Sequence, residues 1–149
     1  MTTNLSGAID EIATLFNSNV LSNSTAIIGY VPEIEWPGID TGVCKDGSKF
    51  WLKFSTNNVF TEQETLCENI VINGSRRYNS QGFVSVQIFA PKRKDSYQKA
   101  LSFSQMLQIV FRKSLPNVIL RNSRIVELPP ENGIVRFNVF ADYEFDEIN

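Results

Sequence analysis

Between Gly82 and Phe145 the chain changes its hydrophobic period twice, and that order constrains the fold more than any other feature. Phe83-Val84-Ser85-Val86-Gln87-Ile88-Phe89-Ala90 is a β-rich run with apolar residues at both parities, the pattern of a central strand, and it stops at Pro91. A helical period takes over near Asp95-Ser96, with Asp95 at the N-cap position. Its apolar stripe is Tyr97, Ala100, Leu101, Leu107, Val110, Phe111 and Leu115, and Pro116 ends it. Val118–Leu120 and Arg124–Leu128 return to strand character, and Pro129-Pro130-Glu131-Asn132-Gly133 turns the chain into a last segment, Ile134–Phe145. There Val135, Phe137, Val139, Ala141, Tyr143 and Phe145 share one face, and Arg136, Asn138, Asp142 and Glu144 share the other. A segment so strictly alternating needs a sheet with one face in the core and one face outside it.

The rest of the chain supplies partners for that sheet. Leu5, Ala8, Ile9, Ile12, Ala13, Leu15 and Phe16 recur at helical spacing and predict a helix over residues 4–16, stopped by Asn17-Ser18-Asn19. Leu21–Thr25 is expected to be a polar connector and Ala26–Val31 a short strand ended by Pro32. Ile34-Glu35-Trp36-Pro37-Gly38 predicts a loop anchored by a buried Trp36. After a tight-turn signal at Asp46-Gly47, Phe50, Leu52 and Phe54 alternate with Lys49, Trp51 and Lys53. Residues 56–64 predict an exposed polar loop, 65–72 a strand, and Asn73-Gly74 a hairpin turn; the acidic tail 146–149 is expected to be mobile.

The expected architecture is one α+β domain over residues 1–149. Two helices pack on one face of a four- to five-stranded antiparallel or mixed sheet, with a β-hairpin or loop extension around residues 56–80. Its expected core is Phe83, Val84, Val86, Ile88 and Phe89 with Val135, Phe137, Val139 and Tyr143, packed against both helices.

Chemistry is hard to find in this composition. Histidine is absent, which removes the commonest general base and transition-metal ligand. The two cysteines, Cys44 and Cys67, match no zinc spacing and read as free thiols. Glycines form neither a phosphate loop nor a nucleophile elbow. The carboxylate pairs Glu62/Glu64 and Asp142/Glu144 fit a solvated segment and a polar strand face better than an acid–base pair. No catalytic, cofactor-binding or metal-binding residue is expected. The N-terminus lacks the pattern of a signal peptide, and no apolar run is long enough to span a membrane. A net charge of −2 and a pI near 5.2 disfavour duplex binding by bulk electrostatics.

Local positive spots stand out against that mild acidity: Arg76-Arg77, Lys92-Arg93-Lys94, Arg112-Lys113, Arg121 and Arg124. They fit contacts to a phosphate backbone or an acidic protein surface, or the ordinary preference of turns and helix C-termini for cations. Trp51 falls on the Lys49/Lys53 side, away from the core stripe, and is a candidate interface aromatic.

Three features together resemble the bacteriophage tail-terminator-like proteins, the family of the phage lambda minor tail protein U. The first is an N-terminal helix leading through Val31-Pro32-Glu33-Ile34-Glu35-Trp36-Pro37, an aromatic beside proline. The second is Phe83–Pro91, similar to the family's F-x-x-x-V-F-A-P strand and followed at once by the second helix. The third is a strand, a proline-rich turn and an amphipathic last strand over Arg124–Phe145. The resemblance implies a structural virion protein, assembled in the host cytoplasm, whose ring of six copies caps the tail tube and meets the head connector at the head–tail junction. Another neck, connector, tube or tail-completion role is the alternative. Its expected partners are further copies of itself, the tail tube protein, the head connector, and double-stranded DNA passing through the lumen without sequence recognition; no membrane is expected. Trp51, Arg76, Arg77, Lys92, Arg93 and Lys94 are then candidate contact residues, and Asp142, Glu144, Asp146 and Glu147 candidate lumen residues.

Overall fold

A computed structural model describes residues 2–38, 48–63 and 77–148. The elements run α1 (Leu5–Ile28), β1 (Glu33–Glu35), β2 (Trp51–Gln63), β3 (Arg77–Ala90), α2 (Ser96–Val110), β4 (Ile119–Glu131) and β5 (Ile134–Ile148). One five-stranded mixed sheet has the order β1-β2-β3-β5-β4; β1 runs parallel to β2 and every other pair is antiparallel. The α+β class and the packing of both helices against the sheet follow the sequence expectation.

The first helix is far longer than its apolar period suggests. It runs straight through Asn17-Ser18-Asn19 and absorbs both the expected connector and the first half of the expected strand at 26–31. Polar residues continue it because their side chains bond back along the helix. Ser18 and Asn19 donate to the Leu15 carbonyl at 3.2 and 2.8 Å, Asn23 to that of Asn19 at 3.0 Å, and Ser24 to that of Val20. Meanwhile Ala8, Ile12, Phe16, Val20, Ser24 and Ile28 hold one buried stripe at a spacing of four. Asn4 caps the start, accepting from the Gly7 N–H at 2.7 Å. Gly29 ends the helix in the left-handed region, φ 86°, where glycine carries no Cβ penalty.

Beyond it, the segment expected to be a loop supplies the three-residue β1, followed by Trp36. The Trp36 ring packs against both Phe16 and Phe54, with centroids 5.8 and 5.3 Å away, while Phe16 and Phe54 stack on each other at 5.0 Å. The turn at Asp46-Gly47, both cysteines, Arg76 and the strand and hairpin expected over 65–74 lie outside the described residues.

Strand β2 corrects a second expectation. Phe50, Leu52 and Phe54 are buried as their alternation predicts, but the polar stretch after them remains strand to Gln63, laddered to β3. A bulge at Val59 shifts the register between Asn58 and Phe60, so outward parity passes from odd to even positions. The acidic tail is likewise strand: β5 pairs with β3 from Val135 to Ile148. The β4–β5 hairpin closes on Asn132 and Gly133, both at positive φ (53 and 75°), the two-residue turn that matches strand twist. Pro129 and Pro130 precede it on β4, an edge strand whose outer side needs no donor there.

The core is the helix-facing layer: Val84, Val86 and Ile88 of β3, Phe137, Val139, Ala141, Tyr143 and Phe145 of β5, and Leu52 and Phe54 of β2. Each large side chain removed from water here contributes roughly 1.5–3 kcal/mol. Phe83 and Phe89 do not belong to it; their odd positions on β3 place them on the opposite face. In α2, Phe103 takes the central core position, whereas Tyr97 is 41% exposed. Asp95 sits at the N-cap without making the cap hydrogen bond and pairs instead with Lys99 at 2.8 Å.

Candidate functional site

Both helices cover the same face, so among the described residues the other face of the sheet is open. The register places its side chains in cross-strand rows. Trp51, Phe89, Arg136 and Leu128 form the first row, and Lys53, Gln87, Asn138 and Val126 the second. Ser55, Ser85, Phe140 and Arg124 make the third; Asn57, Phe83, Asp142 and Arg121 the fourth. After the bulge come Phe60, Gln81, Glu144 and Ile119, then Glu62, Asn79 and Asp146.

At one end this face is aromatic. Trp51 lies flat on Phe89, ring centroids 3.9 Å apart and planes 4° from parallel. Phe83 meets Phe140 edge to face at 6.2 Å, and the Arg124 guanidinium sits 5.3 Å from the Phe140 ring centroid. Between these clusters Asn138 is buried, and its Oδ1 has no hydrogen-bond partner among the described residues.

At the other end the face is ionic. Asp142 accepts from Arg124 at 3.2 Å and from Asn122 at 3.1 Å. Glu144 faces Arg121 at 3.6 Å, and Asp146 pairs with Arg77. Asn79, buried beneath them, donates to Glu144 at 2.9 Å and to Asp146 at 3.0 Å, and accepts from Gln81 at 3.1 Å. Partial burial raises the Asp146 carboxyl, but hydrogen bonds from Asn79 and Arg77 outweigh it and leave the group below the usual carboxylate range. A groove of about 310 Å³ crosses this end, walled by Val59 and Phe60 on one side and by Ile119 and Arg121 on the other.

On the helix side of the same end, Tyr143 crosses β3 at Gly82. A Cβ at Gly82 would stand 2.1 Å from the Asn57 carbonyl oxygen and 2.5 Å from the Tyr143 hydroxyl, so only glycine fits. Burial pushes the Tyr143 hydroxyl above its ordinary range, and that hydroxyl reaches Asn58 Oδ1 at 3.3 Å.

The sequence candidates distribute as follows. Asp142, Glu144 and Asp146 do share the open face, but Glu147 does not continue it: β5 is unbroken through Ile148, so Glu147 takes the parity of Phe145. Arg77, grouped with the contact residues, sits among the lumen candidates as the partner of Asp146. Lys92, Arg93 and Lys94 lie after β3, apart from this set, with Arg93 donating to the Ser48 carbonyl at 2.9 Å. Trp51 is on the open face as its parity implies. Residue-by-residue reading missed Asn79, Asn122, Val59 and Phe60. The last two became visible only once residues 56–63 proved to be strand with a bulge. Among the described residues no three carboxylates or thiols are grouped to hold a metal ion, and no helix is long and apolar enough to cross a membrane.

No family model and no curated protein matches the sequence. Solved structures do match. One chain, whose designation states no function, superposes over 91% of this chain and 94% of its own with a TM-score of 0.59 at 12% identity. That likeness shows the fold.

Proposed function

We propose that the chain is a structural virion protein of a tailed phage: a tail terminator whose copies close into a ring on the tail tube and present a surface to the head connector. The observation that carries this reading is the one-sided sheet, which leaves a face bearing Trp51, Phe83, Phe89 and Phe140 for contact with protein rather than for catalysis. Partly buried aromatics flanked by arginine are the composition of a protein contact. The exposed Val59 and Phe60 add a second apolar spot at the far end of the sheet. The element order is that of the family resembled: helix, aromatic–proline segment, strand into Pro91, helix, hairpin. Repeated head-to-tail contacts between identical copies close a ring when the rotation allows it. Duplex DNA is the proposed passenger in the lumen.

Sedimentation velocity over a range of concentrations, alone and with purified tail tubes, tests the proposal. A closed ring of defined mass, seated at the end of a tube and stopping its growth, is the expected result. A ring that joins tubes without stopping growth would shift the role to another neck or tube component. A strict monomer at every concentration, with and without tubes, overturns it.

A further inference from the structure

We infer that the ionic end of the open face is a masked phosphate surface: Arg77, Arg121 and Arg124 are placed to meet a duplex backbone, and Asp142, Glu144 and Asp146 of β5 hold them back from it. The duplex is taken from the proposed function. The masking itself rests on geometry alone.

The three pairs share one arrangement. In each, the guanidinium is the more exposed partner: side chains of Arg77, Arg121 and Arg124 are 50, 60 and 48% exposed, against 21, 29 and 44% for Asp146, Glu144 and Asp142. Within each pair the positive group thus stands outermost, and its carboxylate lies under it on β5, the strand between β3 and β4. From the Ile148 level of β5, where Arg77 pairs, to the Asp142 level, where Arg121 pairs, is six residues, roughly 20 Å of strand. A duplex presents one phosphate per 1.7 Å of axis, about a dozen over that length. Asn122, at positive φ beside Arg121, adds an amide donor directed at Asp142.

The carboxylates are themselves fixed. Asn79 holds Glu144 and Asp146 from beneath, and the ladder to β3 holds β5, so these carboxylates cannot swing away to leave the arginines bare. A phosphate approaching the face therefore competes with an anion already in place, and releases few counterions. Since phosphate contacts supply most non-specific affinity, such a face contacts DNA without gripping it. A bare acidic surface would repel the duplex and a bare basic one would retain it; paired charge does neither.

The test is duplex DNA binding by the isolated protein, measured by fluorescence anisotropy between 25 and 200 mM salt on a ~30 base-pair probe, conditions chosen to expose counterion release. The triple variant D142N/E144Q/D146N should bind at least ~10-fold tighter than the native protein at the lowest salt. Its log–log salt slope should be steeper by about 2–3, close to 0.9 for each arginine released. Adding R77Q/R121Q/R124Q to that variant should return both quantities to native values. Should the triple variant not fold, D142N alone, which removes the most exposed carboxylate, should steepen the slope by about 1. Unchanged affinity and slope in a folded triple variant, or in D142N, overturns the inference. So does tightening that survives the arginine substitutions. Ring formation is not read in this assay, so a negative result leaves the proposed assembly standing.

Discussion

The same three strands, β2, β3 and β5, build two regions held together by different physics. Under the helices they form a dry layer. Phe54, Val86, Val139 and Phe137 interlock with Phe16, Phe103 and Leu107, and almost every large side chain is buried. Over Asn57–Gln63, Arg77–Gly82 and Asp142–Ile148 the backbone ladder continues, but apart from Tyr143 and Phe145, which stay in the core, the contacts between the strands are largely polar. Thr61 and Ser80 share a hydroxyl hydrogen bond at 2.8 Å, Asn79 binds two carboxylates, and Arg77 closes over Asp146. Apolar packing stabilises the first region in proportion to area, with little demand on geometry; the second holds only while each polar partner is in place. The chain reinforces this second region at its margins: the Thr3 N–H donates to the Asp146 carbonyl at 2.9 Å, tying the start of the chain to the end of β5.

The largest expected effect lies in the covered region. Phe137→Ala removes a fully buried ring that packs against Tyr97, centroids 5.6 Å apart, and should cost about 3–5 kcal/mol by urea unfolding at unchanged m-value. A loss under about 1 kcal/mol would show that this layer is not the core. Gly82→Ala sits where the two regions join. Its Cβ would meet a backbone oxygen, which cannot rotate away, so a cost on the order of 1–3 kcal/mol is expected. A neutral result would mean that β2 and β3 separate there at no cost, and the comparison fails at its boundary.

Asn79→Ala probes the polar region alone, removing the donor to Glu144 and Asp146. It should cost about 1–2 kcal/mol and raise hydrogen exchange in Thr61–Gln63 and Asp146–Ile148 ahead of the covered strands. Uniform exchange across both regions would argue that they unfold as one unit. A pH series sharpens the same point. Because the folded Asp146 carboxyl lies below the ordinary value near 3.9, its stabilisation is complete above that value and is lost as the pH falls through the depressed folded one. Asp146→Asn should flatten the fall in melting temperature below about pH 4; an identical acid slope in the variant removes Asp146 as a contributor. The smallest effect is expected at the bulge. Val59→Ser with Phe60→Ser should leave stability within about 0.5 kcal/mol, since both side chains are exposed, yet weaken self-association if that spot is a subunit contact.

What the sequence determined by itself is the covered region. The alternation of Phe50, Leu52 and Phe54 and the odd positions of Val135–Phe145 state their own burial, because apolar side chains must leave water with the period of the element carrying them; in the doubly apolar β3 only Val84, Val86 and Ile88 do so, while Phe83 and Phe89 lie on the open face. The class of the fold and the place of β3 at the centre of the sheet follow from that alone. Polar segments make no such statement. Residues 17–25 could continue α1 or break it, and 56–63 could be loop or strand. So could 146–148. A hydrogen-bonding side chain is satisfied by water, by its own backbone or by a distant partner at similar free energy. In α1 the nearby carbonyls settled the matter. Along the extension it was settled by Ser80 for Thr61 and by Asn79 for Asp146, partners 19 and 67 residues away. The pairing of the charges was decided in the same way. Asp142, Glu144 and Asp146 are acidic in the sequence, but only the register that brings Arg77, Arg121 and Arg124 beside them makes their face nearly neutral.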